Sequence, residues 1–148
     1  SRFTEKEYLI MQGHTWLGAK LFNEIESPVD RVAREVALTH HENWDGTGYP
    51  GRVSVETGSV EVVDPATGRA KGLAGDEIPI AGRIVALADV SDALSCKRVY
   101  KEPWSEDKVL DEIRSLRGSK FDPSVVDAFF EILPSIQSIK DRFPDVDD

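Results

Sequence analysis

Two of the three histidines in this chain are adjacent and open a run of metal-binding residue types that leads into a glycine-rich turn. The run extends from His40 to Pro50 and reads His-His-Glu-Asn-Trp-Asp-Gly-Thr-Gly-Tyr-Pro. Its imidazoles, with the carboxylates of Glu42 and Asp45, offer nitrogen and oxygen ligands that suit iron, manganese or zinc. A site built from cysteines is excluded, because Cys96 is the only cysteine. The run therefore predicts a hydrolytic metal site.

The third histidine, His14, falls on an apolar stripe at helical spacing. The stripe comprises Ile10, His14, Leu17, Leu21 and Ile25. A lone histidine on such a stripe is more often a hydrogen-bonded core residue than a ligand. His40 and His41, however, also lie on an inward stripe or at a helix end, and burying every histidine carries a desolvation cost that metal coordination would offset. We therefore interpret all three histidines as metal ligands.

Asp89 is the fourth candidate ligand. It is the single carboxylate in the apolar run 84–90. An ordinary alternative is a helix residue that reaches solvent or pairs with Lys97 or Arg98. Because an unpaired buried carboxylate costs several kcal/mol, the apolar surroundings favour coordination of a cation. Asp92, one turn further on, is a candidate to share this role or to cap a helix.

A basic and aromatic cluster follows the Asp89 segment. Its members are Lys97, Arg98, Tyr100 and Lys101. Such a run is usually a solvated face, but its proximity to the predicted metal in an acidic chain equally favours phosphate binding. Both interpretations stay open at this point.

The composition limits the classes of function. With 148 residues, 40% of them hydrophobic, the chain has the size of one domain with a single core. A net charge of −9 argues against a long nucleic acid as partner, whereas a small phosphate ligand stays compatible. We find no charged leader and no apolar stretch approaching the roughly 20 residues of a membrane span. The expected setting is the reducing cytoplasm.

Several helices must position these residues. Thr4 and Glu7 form a capping-box pattern before the first helix, and Ser27-Pro28 begins a second. The inward stripe of the second helix is predicted to comprise Val29, Val32, Ala33, Val36, Ala37 and His40. Helical periodicity returns after Pro79. Two further helices are expected, one capped by Ser105 and ending near Gly118, the other starting at Asp122-Pro123.

Valines and turn residues dominate residues 52–72, and this pattern predicts a small β-hairpin inserted into the bundle. The acidic tail 141–148 is expected to fray. The sequence thus predicts one domain over residues 1–140, an all-α helical bundle with one hairpin insertion.

The run 40–50 resembles the signature His-His-Glu-x-x-Asp-Gly-x-Gly-Tyr-Pro of the HD-GYP domain throughout its length. The likeness extends over residues 9–22, 78–101 and 115–129. It implies the all-α fold of the HD superfamily. It also implies hydrolysis of the bacterial second messenger cyclic di-GMP to pGpG or GMP, at a binuclear or trinuclear iron or manganese centre.

The resemblance also assigns roles to individual residues. The implied metal ligands are His14, His40, His41 and Asp89. The implied catalytic pair, which holds the phosphates of the cyclic dinucleotide, is Arg98 and Lys101. Tyr49 and Pro50 belong to the signature loop, and we count them among the implied substrate-binding residues. The resemblance also implies that this loop binds partners, including diguanylate cyclase (GGDEF) domains.

Two departures from the family pattern are visible. The His-Asp pair that names the family is expected upstream of His14, but only thirteen residues precede it and none is a histidine. We therefore expect this chain to hold one weakly bound ion at most. The second departure is the length of residues 52–72, because the family passes more quickly from Gly-Tyr-Pro to the stretch seen here as 75–79. A hairpin there is expected to cover or regulate the site.

Three hypotheses follow. The first is a fragment of a cyclic di-GMP phosphodiesterase whose parent carries a sensory or receiver domain. The second is a truncated, inactive module that binds partners or nucleotide, and the third is a hydrolase of another phosphoester, which the full signature disfavours. Since Leu9, Met11 and Trp16 cannot all point into one core, a homodimer or another covering contact is also expected.

Overall fold

The computed structural model of the protein describes residues 4–95 and 104–143. The helices of these ranges are α1 (Glu5–Lys20), α2 (Pro28–Thr39), α3 (Ile80–Ser95), α4 (Glu106–Ser115), α5 (Pro123–Glu131) and α6 (Leu133–Arg142). A short 3₁₀ helix, Gly75–Glu77, precedes α3. The all-α fold predicted from the sequence is confirmed. No helix within the described ranges is long and apolar enough to cross a membrane.

Helix starts follow the local chemistry of the sequence. The Thr4 hydroxyl accepts the N–H of Glu7, and the Glu7 carboxylate accepts the N–H of Thr4 in return. Ser27 and Asp30 form the same reciprocal pair at the start of α2. At α5 the Asp122 carboxylate accepts the N–H of Ser124 at 2.8 Å. These bonds satisfy backbone donors that have no partner inside the helix, and all three starts agree with the sequence prediction.

The apolar stripe predicted for α1 is wrong, and the one predicted for α2 is wrong at Val29 and Val32, whereas its remaining members Ala33, Val36, Ala37 and His40 are half-buried. Ile10, Leu21 and Val29 are 69%, 83% and 75% exposed. The buried residues of α1 are instead Thr15 and Ala19. Small side chains let two helices approach closely, so α1 packs on α2 through this narrow side and turns its larger apolar residues outward.

The hydrophobic core lies where α3, α4 and α5 meet. Its buried members are Leu87, Val109, Ile113, Phe121 and Val126. The α2 helix reaches this unit at its C-terminal end, where a Cβ atom at position 82 would lie 2.1 Å from the hydroxyl of Thr39. Only glycine permits this approach, which sets the end of α2 against α3.

Residues 52–72 form no strand. They contain two isolated antiparallel bridges, Val53 with Val60 and Val63 with Ala70. Each bridge closes over a tight turn with a glycine at positive φ, namely Gly58 at 71° and Gly68 at 70°. Neither bridge extends into a ladder, so the predicted β-hairpin is replaced by two small bridged loops, together called the 52–72 segment.

Candidate metal centre

Two helices bring the three histidines together. His14 lies in α1, and His40 and His41 directly follow the last residue of α2. Each offers one ring nitrogen, and these atoms lie within 4.8 Å of one another. Since metal to imidazole bonds measure about 2 Å, an ion fits among the three rings after small side-chain rotations. His14 is exposed and the other two are half-buried, so the prediction that all three are buried is wrong for His14, because the side of α1 that packs on α2 is the one carrying Thr15 and Ala19.

Backbone carbonyls orient two of these rings. The Nδ1 atom of His14 lies 2.6 Å from the carbonyl oxygen of Met11. The Nδ1 atom of His40 lies 2.9 Å from the carbonyl oxygen of Val36. A carbonyl accepts only from a protonated nitrogen, so these contacts place the proton on Nδ1 and leave Nε2 with a free lone pair. Metal-binding histidines in proteins are held in this way.

Electrostatics keep His41 in the form that binds metals. Burial, followed by the charges of His40 and His14, lowers the pKa of His41 to about 4. The negative charge of Asp89 opposes this shift. At neutral pH the imidazole is therefore neutral, as metal coordination requires.

Asp89 acts on the cluster from α3. Its charge raises the pKa of His41, which places the carboxylate on the side of the histidines. The side chain is exposed, so the prediction that Asp89 is buried is wrong. In α3 the buried positions include Gly82, Ala86 and Leu87, and the position of Asp89 faces away from the core. The three-histidine group found in the described ranges does not include Asp89, whose role as a ligand stays a prediction.

Tyr49 of the signature loop lies over the histidines. Its ring stacks on His41 and contacts Tyr8 edge to face at 6.0 Å. Its hydroxyl donates to the sulfur of Met11 at 3.6 Å. Burial, with smaller contributions from Tyr8 and Asp89, raises the pKa of Tyr49 to about 12, so the phenol stays neutral. Pro50 beside it is half-buried.

The carboxylates of the signature run are used within the loop. Glu42 is 2% exposed and accepts the N–H groups of Gly51 at 2.6 Å and Leu73 at 3.2 Å. It thereby fastens both ends of the 52–72 segment. Burial raises the pKa of Glu42 to about 7, although both hydrogen bonds lower it. Asp45 accepts from the N–H and hydroxyl of Thr47.

Sequence reasoning considered Glu42 only as an oxygen donor for a metal. Its fastening role was missed, although the position of this acid between the histidine pair and the glycine turn was a usable signal. The predicted phosphate-binding residues Arg98 and Lys101 lie outside the described residues. Their role stays a prediction.

The geometry defines a helical domain with a three-histidine site suited to a divalent metal. A family described as HD domain matches residues 1–61 and 66–125. The chain belongs to this family, and its residues 40–50 carry the signature of the HD-GYP type. The resemblance seen in the sequence is thereby confirmed, and HD domains bind divalent metals.

Several curated proteins are similar to this chain. A 3'3'-cGAMP-specific phosphodiesterase 2 of Vibrio cholerae is 38% identical over 95% of this chain and 23% of its own length. A cyclic di-GMP phosphodiesterase of Thermotoga maritima is 38% identical over 97% of this chain and 34% of its own. A cyclic di-GMP phosphodiesterase response regulator of Xanthomonas campestris is 35% identical over 96% and 32%. The chain thus spans about a quarter to a third of the length of these relatives.

Proposed function

We propose that this chain belongs to a metal-dependent phosphodiesterase that hydrolyses cyclic di-GMP to pGpG or GMP in bacterial signalling. The observation that carries the proposal is the convergence of ring nitrogens from His14, His40 and His41 within 4.8 Å. The names of the similar proteins, which act on cyclic di-GMP or on 3'3'-cGAMP, support a cyclic dinucleotide as the substrate.

The donor set fits iron or manganese, with His14, His40, His41 and Asp89 as ligands. Neutral imidazoles and a carboxylate suit either metal, and the resemblance favours a binuclear or trinuclear centre. When bound, such a centre supplies Lewis-acid activation of water and of a phosphate oxygen. The protein's own part is to hold the rings through their Nδ1 contacts and to cover His41 with Tyr49.

Other residues of the chain would bind the substrate. Arg98 and Lys101 would hold the phosphates and offset the charge that develops on them. Tyr49 and Pro50 would line the approach to the metal. We also propose that the signature loop contacts a diguanylate cyclase (GGDEF) domain, that a sensory or receiver domain belongs to the parent protein, and that the domain dimerises. The Xanthomonas relative is named a response regulator, which supports a sensory or receiver domain in the parent protein. The expected setting is the cytoplasm.

Metal analysis and hydrolysis assays test this function together. Protein purified anaerobically is analysed for metals by plasma mass spectrometry and assayed on cyclic di-GMP and 3'3'-cGAMP. We expect about one ion per chain, lost in His14→Ala and His41→Ala and reduced in Asp89→Asn. Asp111→Asn is the matched control, because Asp111 is an exposed helical carboxylate on α4. Metal that persists in both histidine variants would contradict the site, and metal-loaded protein inert on both nucleotides would contradict the activity.

A further inference from the structure

The helix that carries His14 buries little of its own surface. Its buried residues are Thr15 and Ala19, whereas Leu9, Ile10 and Leu17 are 56%, 69% and 50% exposed. Burial of apolar surface is the main force that fixes a helix in place, and regions with few buried contacts open at low free-energy cost. The position of α1 therefore depends on contacts beyond its packing on α2.

The 52–72 segment provides such contacts along the outer side of α1. Arg69 pairs with Glu5 at 3.2 Å, near the start of the helix. The Lys20 ammonium donates to the carbonyl oxygen of Glu56 at 3.1 Å, at its end. Between these points the ring of Trp16 lies against Gly58. His14 and Trp16 are two positions apart in α1, which corresponds to about 200° around the helix axis. The His14 side chain therefore points away from the side of α1 on which Trp16 contacts the segment.

The Trp16 contact requires a glycine at position 58. A Cβ atom there would lie 2.4 Å from Cε2 of Trp16. A cavity of about 360 Å³ lies beside this contact and is lined by residues of α1, the signature loop and the segment, so the Trp16 ring is the side chain of α1 that bridges to the turn at Gly58. The ion pair between Arg69 and Glu5 is exposed and contributes little.

Both chain ends of the segment are fixed beside the remaining histidines. Glu42, which follows His41 directly, accepts the N–H groups of Gly51 and Leu73. The segment thus spans from the residue next to His41 to the outer side of the helix that carries His14.

We infer that Trp16 and Gly58 are positioning residues, through which the 52–72 segment holds α1 and so keeps the His14 ring beside His40 and His41. The inference rests on the proposed metal site. It gives the inserted segment a role in metal affinity that requires no contact with the metal or the substrate.

A matched pair of glycine variants tests this role. Both glycines have nearly the same positive φ, 71° at Gly58 and 70° at Gly68, so alanine introduces the same backbone strain at either position. Gly58→Ala also pushes the segment away from Trp16, whereas the Cβ of Gly68→Ala meets no atom within 4 Å. Binding of Co²⁺ alone is followed by its visible spectrum in the full chain. An α1 helix that can shift holds His14 beside the other two rings for a smaller fraction of the time, and apparent affinity falls by that fraction, so we expect Gly58→Ala to bind Co²⁺ about tenfold more weakly than Gly68→Ala. Equal affinities in two folded variants would overturn the inference.

The variant His14→Ala distinguishes a failure of the positioning role from a failure of the proposed metal site. If His14→Ala leaves Co²⁺ affinity unchanged, the proposed metal site fails. If His14→Ala weakens binding but Gly58→Ala and Gly68→Ala match each other, only the positioning role fails.

Two further measurements guard against variants that do not fold. Trp16→Leu removes the ring from the α1 side without strain in the segment, and it should also weaken Co²⁺ binding. In the metal-free wild-type chain, hydrogen exchange should show the Gly58 amide, which donates to Ser54, opening together with the amides of the second half of α1. Protection of α1 that persists while the Gly58 amide exchanges freely would overturn the inference without any variant.

Discussion

The ring of Tyr49 stacks on the ring of His41, with their centroids 4.7 Å apart and an angle of 28° between their planes. Tyr49 also meets His14 edge to face at 6.3 Å. The signature loop therefore closes back over the histidines that begin it, and one face of His41 is withdrawn from water. This burial is the largest cause of the low pKa of His41.

Tyr49→Ala should uncover His41, whereas Tyr49→Phe should not. Without the ring, water reaches the imidazole and its pKa should rise from about 4 towards the ordinary 6.5. Tyr49→Phe keeps the stacked ring and should keep the low pKa. Titration of the His41 signals by NMR in metal-free protein measures both. The same titration midpoint in the two variants would mean that the tyrosine ring does not shield His41.

Glu42 should make the metal-free protein lose stability as the pH rises towards neutrality. Its pKa is about 7 in the folded chain against an ordinary 4.5, so between these values the folded state binds more protons than the unfolded state. The free energy of unfolding therefore falls as the pH rises through this window. His41 acts in the opposite sense, because its pKa of about 4 lies below the ordinary 6.5, and stability rises between those values.

Glu42→Gln should remove only the first of these two contributions. The difference in unfolding free energy between wild type and Glu42→Gln should shrink as the pH rises from about 4.5 to about 7. The variant also costs about 1–3 kcal/mol at every pH, because its amide group faces a backbone N–H. Urea unfolding at several pH values in EDTA measures this, with the exposed Glu61→Gln as control. Parallel wild-type and variant curves would exclude a raised pKa for Glu42.

Two aspartates with similar arginine partners should differ in their effect on stability. Asp122 is 3% exposed and accepts from Arg83 at 2.8 Å, whereas the Asp127 side chain is 61% exposed and accepts from Arg117 at 2.7 Å. Asp122→Asn leaves the largely buried Arg83 guanidinium with only the exposed Asp76 carboxylate, at 3.1 Å, as counter-charge, so it should lower the free energy of unfolding by about 3 kcal/mol. Asp127→Asn should cost less than about 1 kcal/mol. Equal losses in urea unfolding would show that burial does not control these pairs.

The starts of α1, α2 and α5 could be predicted from the sequence, but the start of α6 at Leu133 and the buried faces could not. Capping by Thr4, Ser27 and Asp122 depends on residues within three positions, so the local pattern contains the needed information. The face that α1 buries depends on the shape of α2. Ala19 and Thr15 allow a closer approach than Ile10, and this outweighs the larger apolar area of the isoleucine.

In the candidate site, too, local features could be predicted from the sequence and contacts between distant residues could not. The helix end at His40 and His41 was predicted from the glycine turn that follows, and the structure brings His14 to them. The exposure of Asp89 was not predicted, because an apolar run does not reveal which side of α3 faces solvent. The fastening of the 52–72 segment by Glu42 links residues up to 31 positions apart, which local patterns do not report.

Gly48 should tolerate no side chain at all. A Cβ atom there would lie 2.3 Å from the backbone nitrogen of Asn43 and 2.5 Å from the carbonyl oxygen of His41. Because these are backbone atoms, they cannot move aside as a flexible side chain does, and Gly48→Ala must displace the loop that carries Tyr49. We expect Gly48→Ala to lower Co²⁺ affinity by about tenfold or more and to abolish the stacking on His41. Gly68→Ala is the control, since its Cβ would meet no atom within 4 Å. Wild-type affinity in a folded Gly48→Ala protein would show that the loop does not support the site.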